Sequence, residues 1–172
     1  MTDADPQADA RIRRIAESVG EALLARHLTV ATVESCTGGW IAKALTDIAG
    51  SSSWFEGGWV TYSNQAKSEW VGVLPDTLER YGAVSTETVM EMAAGALQRC
   101  PRADLSVAVS GVAGPGGGTE EKPVGLVWFG WSERRDGRID TETDWVRFPG
   151  NRDAVRAGTV IHALEGVLRL AR

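Results

Sequence analysis

Cysteine and histidine are both scarce in this chain of 172 residues, with two of each: Cys36, Cys100, His27 and His162. Two cysteines give no disulfide framework, and two scattered histidines do not make a zinc ligand set, so a structural disulfide and a His/Cys metal site are not expected. No apolar run approaches the ~20 residues that cross a bilayer. The opening stretch, Met1 to Arg14, mixes Asp with Arg and lacks the apolar segment of a signal peptide, so a cytoplasmic protein without a membrane role is expected. Basic charge is also in deficit. Eighteen Lys and Arg face 23 Asp and Glu, a net charge of −5. Basic runs stop at pairs such as Arg134-Arg135, which argues against a nucleic-acid surface built on bulk electrostatics.

Apolar residues are plentiful, at 43% of the chain. That suffices for one compact domain over residues 1–172, with 1–9 as a flexible tail. Its focal stretch is Thr32-Val33-Glu34-Ser35-Cys36-Thr37-Gly38-Gly39-Trp40. The apolar run Leu28 to Val33 reads as a buried strand, and good helix formers follow from Trp40 to Leu45, so the stretch is a sharp strand-to-helix joint. Ser35 there would have a helix dipole beside it, and Gly38 and Gly39 would let backbone N–H groups approach what it attacks. A plainer alternative is a helix cap with no chemistry, since Ser and Thr favour that position.

Ile12, Ile15, Ala16, Val19, Ala22 and Leu23 fall on one face of a helix ahead of the first strand. After the helix from Gly39 to about Ile48 comes a loop, Ala49 to Ser53, and a second strand, Trp54 to Tyr62, with a bulge signalled by Gly57-Gly58. A short helix runs through Trp70. A longer one, capped by Ser85 or Thr86, carries Val89, Ala93, Ala96, Leu97 and Cys100, and Pro101 closes it. Leu105 to Val109 is a buried strand that ends in the glycine-rich run Ser110 to Thr119. Pro123 to Trp131 reads as a central strand and Ile139 to Phe148 as an alternating one, joined through the hairpin Asp136-Gly137. The last helix starts near Arg152 with Asn151 as cap. Helices alternating with strands, plus one hairpin, predict a three-layer α/β/α domain with a mixed sheet.

Glu34 to Gly39, Tyr62 to Lys67 and Ser110 to Gly118 each follow a strand, and parallel strands would gather them on one rim, where open α/β proteins bind ligands. Neither histidine is well placed as base for Ser35: His27 precedes the first strand, and His162 lies off the apolar stripe of the last helix. Lys67 is the remaining base if burial lowers its pKa, with Tyr62 to relay or orient the proton. Taken alone, Lys67 reads by default as an exposed helix residue and Tyr62 as a strand-end aromatic. Cys36 is a weaker nucleophile candidate, since a lone thiol is more often a packing residue. The run Gly114 to Gly118 is neither a Walker loop nor a dinucleotide fingerprint, because a strand follows it. Trp128 and Trp131 read as residues of a buried strand.

Five motifs together carry a resemblance. Val33-Glu34-Ser35-Cys36-Thr37-Gly38-Gly39, Tyr62-Ser63-Asn64-Gln65-Ala66-Lys67 with Val71-Gly72-Val73, Gly82-Ala83-Val84-Ser85, Ser110 to Pro115 through Lys122 to Gly125, and Gly150-Asn151-Arg152 resemble the CinA C-terminal-domain family from about residue 10 onward. That family includes stand-alone nicotinamide-nucleotide amidases. Val112 and Trp70 stand where Ile and Leu are common in it, away from the proposed chemistry. The resemblance implies a three-layer α/β/α sandwich with a mixed, mostly parallel five-stranded sheet. It also implies hydrolysis of nicotinamide mononucleotide to nicotinate mononucleotide and ammonia, in pyridine nucleotide salvage. Ser35 would be the nucleophile and Tyr62 and Lys67 its activating partners; Thr37, Gly38, Gly39, Ser110, Gly111, Gly114 and Arg152 would bind substrate.

The metal-dependent pyrophosphatase part of full-length members is not matched, and its activity is not expected. Expected partners are a small-molecule nucleotide and further copies of the chain, a homo-oligomer, with no nucleic acid, membrane, metal or cofactor. A nucleotide-binding module of the same fold without catalysis, or an amidase for another small amide, are the competing readings. For the phosphate of a nucleotide, the first turn of the last helix offers free N–H groups with Arg152 and Arg156 one turn apart.

Overall fold

The computed structural model describes residues 6–172. Helix α1 (Pro6–Arg26) leads into strand β1 (Val30–Glu34), helix α2 (Trp40–Thr46), a 3-10 turn (Ser51–Ser53) and strand β2 (Phe55–Val60). Helices α3 (Asn64–Val71), α4 (Pro75–Tyr81) and α5 (Thr86–Arg99) follow. Strands β3 (Leu105–Gly111), β4 (Leu126–Arg135) and β5 (Arg138–Arg147) and helix α6 (Arg152–Leu170) complete the chain. The strand order is β2-β1-β3-β4-β5. β2, β1 and β3 are parallel neighbours, while β4 is antiparallel to both β3 and β5. Four of the five strands therefore run in one direction, giving the mixed, mostly parallel sheet of a three-layer α/β/α sandwich.

Alternation along the strands divides the core. Val30, Val107, Val109, Val127, Phe129 and Trp131 face the helices α1, α2 and α6, whereas Val33 and Ala108 face α5 together with the end of α3. The α1 stripe is as periodicity predicts, with Ile12, Ala16, Val19 and Leu23 buried. Emptying one such site, as in Leu164→Ala, would cost about 2–5 kcal/mol, since the transfer term and the cavity term add.

Local signals set several boundaries. Ser85 accepts from the Thr88 N–H and Asn151 from the Ala154 N–H, so both expected caps are made. The register slips between Val30–Phe55 and Ala31–Gly57, the bulge signalled by the paired glycines. Asp136 and Gly137 both take positive φ, as a tight hairpin requires. Other boundaries differ from the sequence reading. Residues 6–9, assigned to a tail, are already helical, and 1–5 lie outside the described residues. Helix α4 has no counterpart in the sequence reading, although Pro75 at its first position and Asp76 next to it are start signals. β4 begins at Leu126 rather than Pro123, because Pro123 to Gly125 form a turn closed by the Leu126 N–H on the Pro123 carbonyl.

The connection after β1 passes to α2 on one face, and that after β2 to α3 on the other. The chain moves outward from β1 to β2 and then crosses back to β3 on the far side of β1, so the strand order reverses between the carboxyl ends of β1 and β3, the place where open α/β sheets bind ligands. No helix among the described residues is long and apolar enough to cross a membrane.

Candidate active site

Strand β1 ends on a carboxylate with almost no access to water: Glu34 is 1% exposed. Its Oε2 accepts from the Thr37 hydroxyl at 2.6 Å and from the N–H groups of Gly39 and Ile41 at 3.0 Å, and its Oε1 accepts from Ala42 N–H at 2.7 Å. These are donors that the first turn of α2 would otherwise leave unpaired. The residue at the N-cap position, Gly39, makes no side-chain cap bond. The cap is therefore supplied from the strand, and the reading of Ser35 or Thr37 as the cap is corrected. Freed from that task, the Ser35 hydroxyl meets the Lys67 amine instead. Gly38 and Gly39 take φ of 63° and 96°, which lets the chain turn sharply enough for Glu34 to reach forward onto α2.

Ser35 is anchored by its N–H to the Val109 carbonyl at 3.1 Å, and its Oγ lies 3.1 Å from Lys67 Nζ. Lys67 is carried by α3, which Ser63 caps by accepting from the Ala66 N–H. At 1% exposure Lys67 is as buried as a core leucine. Its Nζ also donates to the carbonyls of Thr61 at 2.7 Å and Tyr62 at 3.4 Å. Burial lowers its pKa to about 8, with the nearby Cys36 opposing the shift. A neutral amine has two N–H bonds and one lone pair. The two carbonyls can take both N–H bonds, which leaves the lone pair for the Ser35 hydroxyl.

Cys36 is 6% exposed, and its thiol is pushed up to about 11, chiefly by burial and further by the Glu34 charge. Little thiolate would exist at neutral pH, which removes the electronic case for Cys36 as nucleophile. Among the described residues no backbone or side-chain oxygen accepts the N–H groups of Cys36 and Thr37, the former lying against its own thiol. Those of Ser35, Gly38, Gly39 and Trp40 are all engaged, on Val109, Ser35, Glu34 and Thr37 respectively.

The other expected residues divide. Tyr62 is 61% exposed, and its phenol meets the Arg152 guanidinium at 3.2 Å. Only its backbone carbonyl reaches Lys67, so the expected proton relay through the phenol has no hydrogen-bond path. Arg152 also donates to the Gly114 carbonyl at 2.8 Å, bridging the ends of β2 and the β3–β4 loop across the rim. Arg156, one turn on, grips the turn that follows Ser35: Nε donates to the Cys36 carbonyl at 3.2 Å and Nη2 to that of Thr37 at 2.8 Å, with its guanidinium over the Trp40 ring.

Thr37 is fully buried with its hydroxyl spent on Glu34, so it acts on the turn from below. Ser110 lies on β3 beside Ser35. Gly111 and Gly114 are closely overlaid by Val127 and Val124, where an added Cβ would stand 2.6 Å from either side chain. Neither histidine comes near: His27 ends α1 at the opposite edge, and His162 packs edge-on against Phe129 and bonds Asp144. Glu34 and the two-point grip of Arg156 were missed in sequence. A lone carboxylate closing an apolar strand was the available signal for the first; nothing local signalled the second. No group of His, Cys, Asp and Glu able to hold a metal occurs among the described residues.

The model of the CinA C-terminal domain matches residues 12–171. Nicotinamide-nucleotide amidohydrolase PncC of Escherichia coli strain K12 is 54% identical over 157 residues, 91% of this chain and 93% of that protein. The protein of the same name from Pseudomonas putida is 48% identical over 159 residues, 92% and 96% of the two chains. Among solved structures, competence/damage inducible protein CihA from Agrobacterium tumefaciens superposes with a TM-score of 0.87 at 44% identity, covering 94% of this chain and 96% of that one. With the family model spanning nearly the whole chain and the relatives matched end to end, the chain belongs to the CinA C-terminal domain family.

Proposed function

We propose that the protein hydrolyses the carboxamide of nicotinamide mononucleotide, releasing ammonia and nicotinate mononucleotide, with Ser35 as nucleophile and Lys67 as base. The observation that carries the reading is the 3.1 Å contact between Ser35 Oγ and a buried lysine whose pKa burial has lowered to about 8. The names of the relatives from E. coli and P. putida support the substrate class.

In this mechanism neutral Lys67 takes the Ser35 proton as Oγ attacks the amide carbon. The oxyanion is received by the N–H groups of Cys36 and Thr37, the weak bond of the first to its own thiol giving way to the stronger acceptor. Collapse breaks the C–N bond, and the Lys67 ammonium gives its proton to the departing nitrogen, which leaves as ammonia. Water then attacks the ester, passing a proton to Lys67, and the ester bond breaks to free the carboxylate and regenerate Ser35. The carbonyls of Thr61 and Tyr62 stabilise the transient ammonium, so no carboxylate partner is required. Arg152 serves the phosphate, exchanging its bond to the Gly114 carbonyl for a charge-assisted one. Tyr62, held by Arg152, belongs to that substrate-facing rim.

Ammonia release from nicotinamide mononucleotide, its riboside, nicotinamide and simple aliphatic amides tests the reading. Preference for the mononucleotide, abolished by Ser35→Ala, is expected. No release from any nicotinamide compound, or full activity after Ser35→Ala, would overturn it.

A further inference from the structure

We propose that Trp128, backed by Trp145, is the wall on which the cationic aromatic ring of the substrate stacks; this rests on the reading that Ser35 attacks a ring-borne carboxamide. The sheet register aligns the residues. Ser35 bonds through its N–H to Val109, the neighbour of Ser110; Ser110 pairs with Trp128, and Trp128 with Trp145. Directly paired residues share a face, and this face is the one on which α3 carries Lys67. Gly130, two residues beyond Trp128 on the same face, lies against Val89 and Ala93 of α5, which fixes the side.

Helix α5 does not cover this row. Its first residue, Thr86, bonds Thr143 one pleat lower, so the helix starts below the level of Trp128 and Trp145. Trp145 is 55% exposed as a result. Trp128 is half-buried, packing on the cluster that includes Val33, and its ring lies 6.3 Å from that of Trp145, tilted by 45°. The arginines that lie over indoles, Arg156 and Arg169, take Trp40 and Trp131. Neither Trp128 nor Trp145 has a cation of the protein over its ring among the described residues.

Spacing and charge both suit a pyridinium. Neighbouring strands lie about 4.8 Å apart, so Trp128 stands roughly 10 Å from Ser35 across the floor at Ser110. A planar heteroaromatic ring fills that gap when its carboxamide carbon is within about 3–3.5 Å of the nucleophile. The ring of an N-substituted nicotinamide is positively charged, and an indole face attracts such a cation. Trp128 would thus select for an electron-poor cationic ring, a discrimination that Ser35 and Lys67 do not supply.

The probe is the 1-methylnicotinamide cation, which has ring and carboxamide but neither ribose nor phosphate, titrated calorimetrically into Ser35→Ala protein. Adding Trp128→Leu should weaken binding roughly five- to tenfold, and Trp128→Phe by much less, with melting temperatures checking that both fold. Neutral benzamide should bind less tightly and lose less on Trp128→Leu. Equal binding of 1-methylnicotinamide with and without Trp128→Leu would overturn the proposal even if nicotinamide mononucleotide is turned over. Trp128-dependent binding in a protein that does not hydrolyse the mononucleotide would sustain the ring site and refute the reaction.

Discussion

Lys67 and Ser35 are separated by 32 positions in sequence and by 3.1 Å between Nζ and Oγ. The contact exists because parallel strands β1 and β2 end on the same rim, and α3 folds back over it from the end of β2. Among the described residues no acid pairs with the lysine, and its proton affinity is lowered by burial while its Nζ donates to two backbone carbonyls.

Replacement of Ser35 by Ala should abolish ammonia release and leave the melting temperature nearly unchanged, because the helix cap comes from Glu34. Cys36→Ala should retain substantial activity. An inactive Cys36→Ala beside an active Ser35→Ala would reverse the nucleophile assignment.

Turnover should rise with pH through a group near pH 8, since Lys67 must be neutral to accept the Ser35 proton and its pKa lies at about 8. Lys67→Arg should be nearly as inactive as Lys67→Ala, because a guanidinium does not deprotonate in this range. A Lys67→Arg enzyme close to wild-type rate would show that the residue supplies charge alone.

Burial of Lys67 also links stability to pH. Between its folded pKa of about 8 and its ordinary 10.5, the unfolded chain holds the proton that the native protein gives up, so wild-type stability rises with pH across that window. Below pH 8 both states are protonated and the full penalty applies. The stability of Lys67→Met relative to wild type should therefore be most favourable below pH 8 and decline towards pH 10.5, by at most about 1.4 kcal/mol per pH unit. Denaturant titrations at pH 7 and pH 10 give the comparison; a constant difference would contradict it.

Glu34→Gln should lower stability by about 1.5–3 kcal/mol, the worth of a hydrogen bond to a charged group. Its amide can keep an oxygen on Thr37, Gly39 and Ile41 only by turning an NH2 towards the Ala42 N–H. Because the carboxylate holds the turn that carries the Cys36 and Thr37 N–H groups, kcat should fall while KM changes little. A loss confined to KM would mean that the turn contributes to binding instead.

Loss of the Arg152 side chain should raise KM for nicotinamide mononucleotide about tenfold or more, from a charge-assisted bond of roughly 1.5–3 kcal/mol, and hardly alter slow hydrolysis of the riboside. Steady-state kinetics on both substrates checks this. Equal losses on the two would assign Arg152 to holding Tyr62 and Gly114, and the phosphate would have to be sought along the loop from Gly111 to Lys122.

Periodicity, capping residues and glycine placement are local properties of the chain, and they were enough to read α1, the Ser85 and Asn151 caps, the Asp136-Gly137 hairpin, the bulge and the α/β/α layering. They also marked Ser35 as standing at a strand-to-helix joint, and the joined motifs indicated the family. Which groups meet there depended on strand order and register, which no short window encodes. Only the packed sheet buries Lys67 against two carbonyls, turns Glu34 onto the start of α2, and brings Arg156 across 120 positions to the Cys36 carbonyl. Only the pairing of β3, β4 and β5 sets Trp128 and Trp145 in one row with Ser110. Local sequence biases each residue's backbone, whereas burial and partner choice arise when distant segments exclude water together, so the surroundings of Ser35 were set by the fold around it.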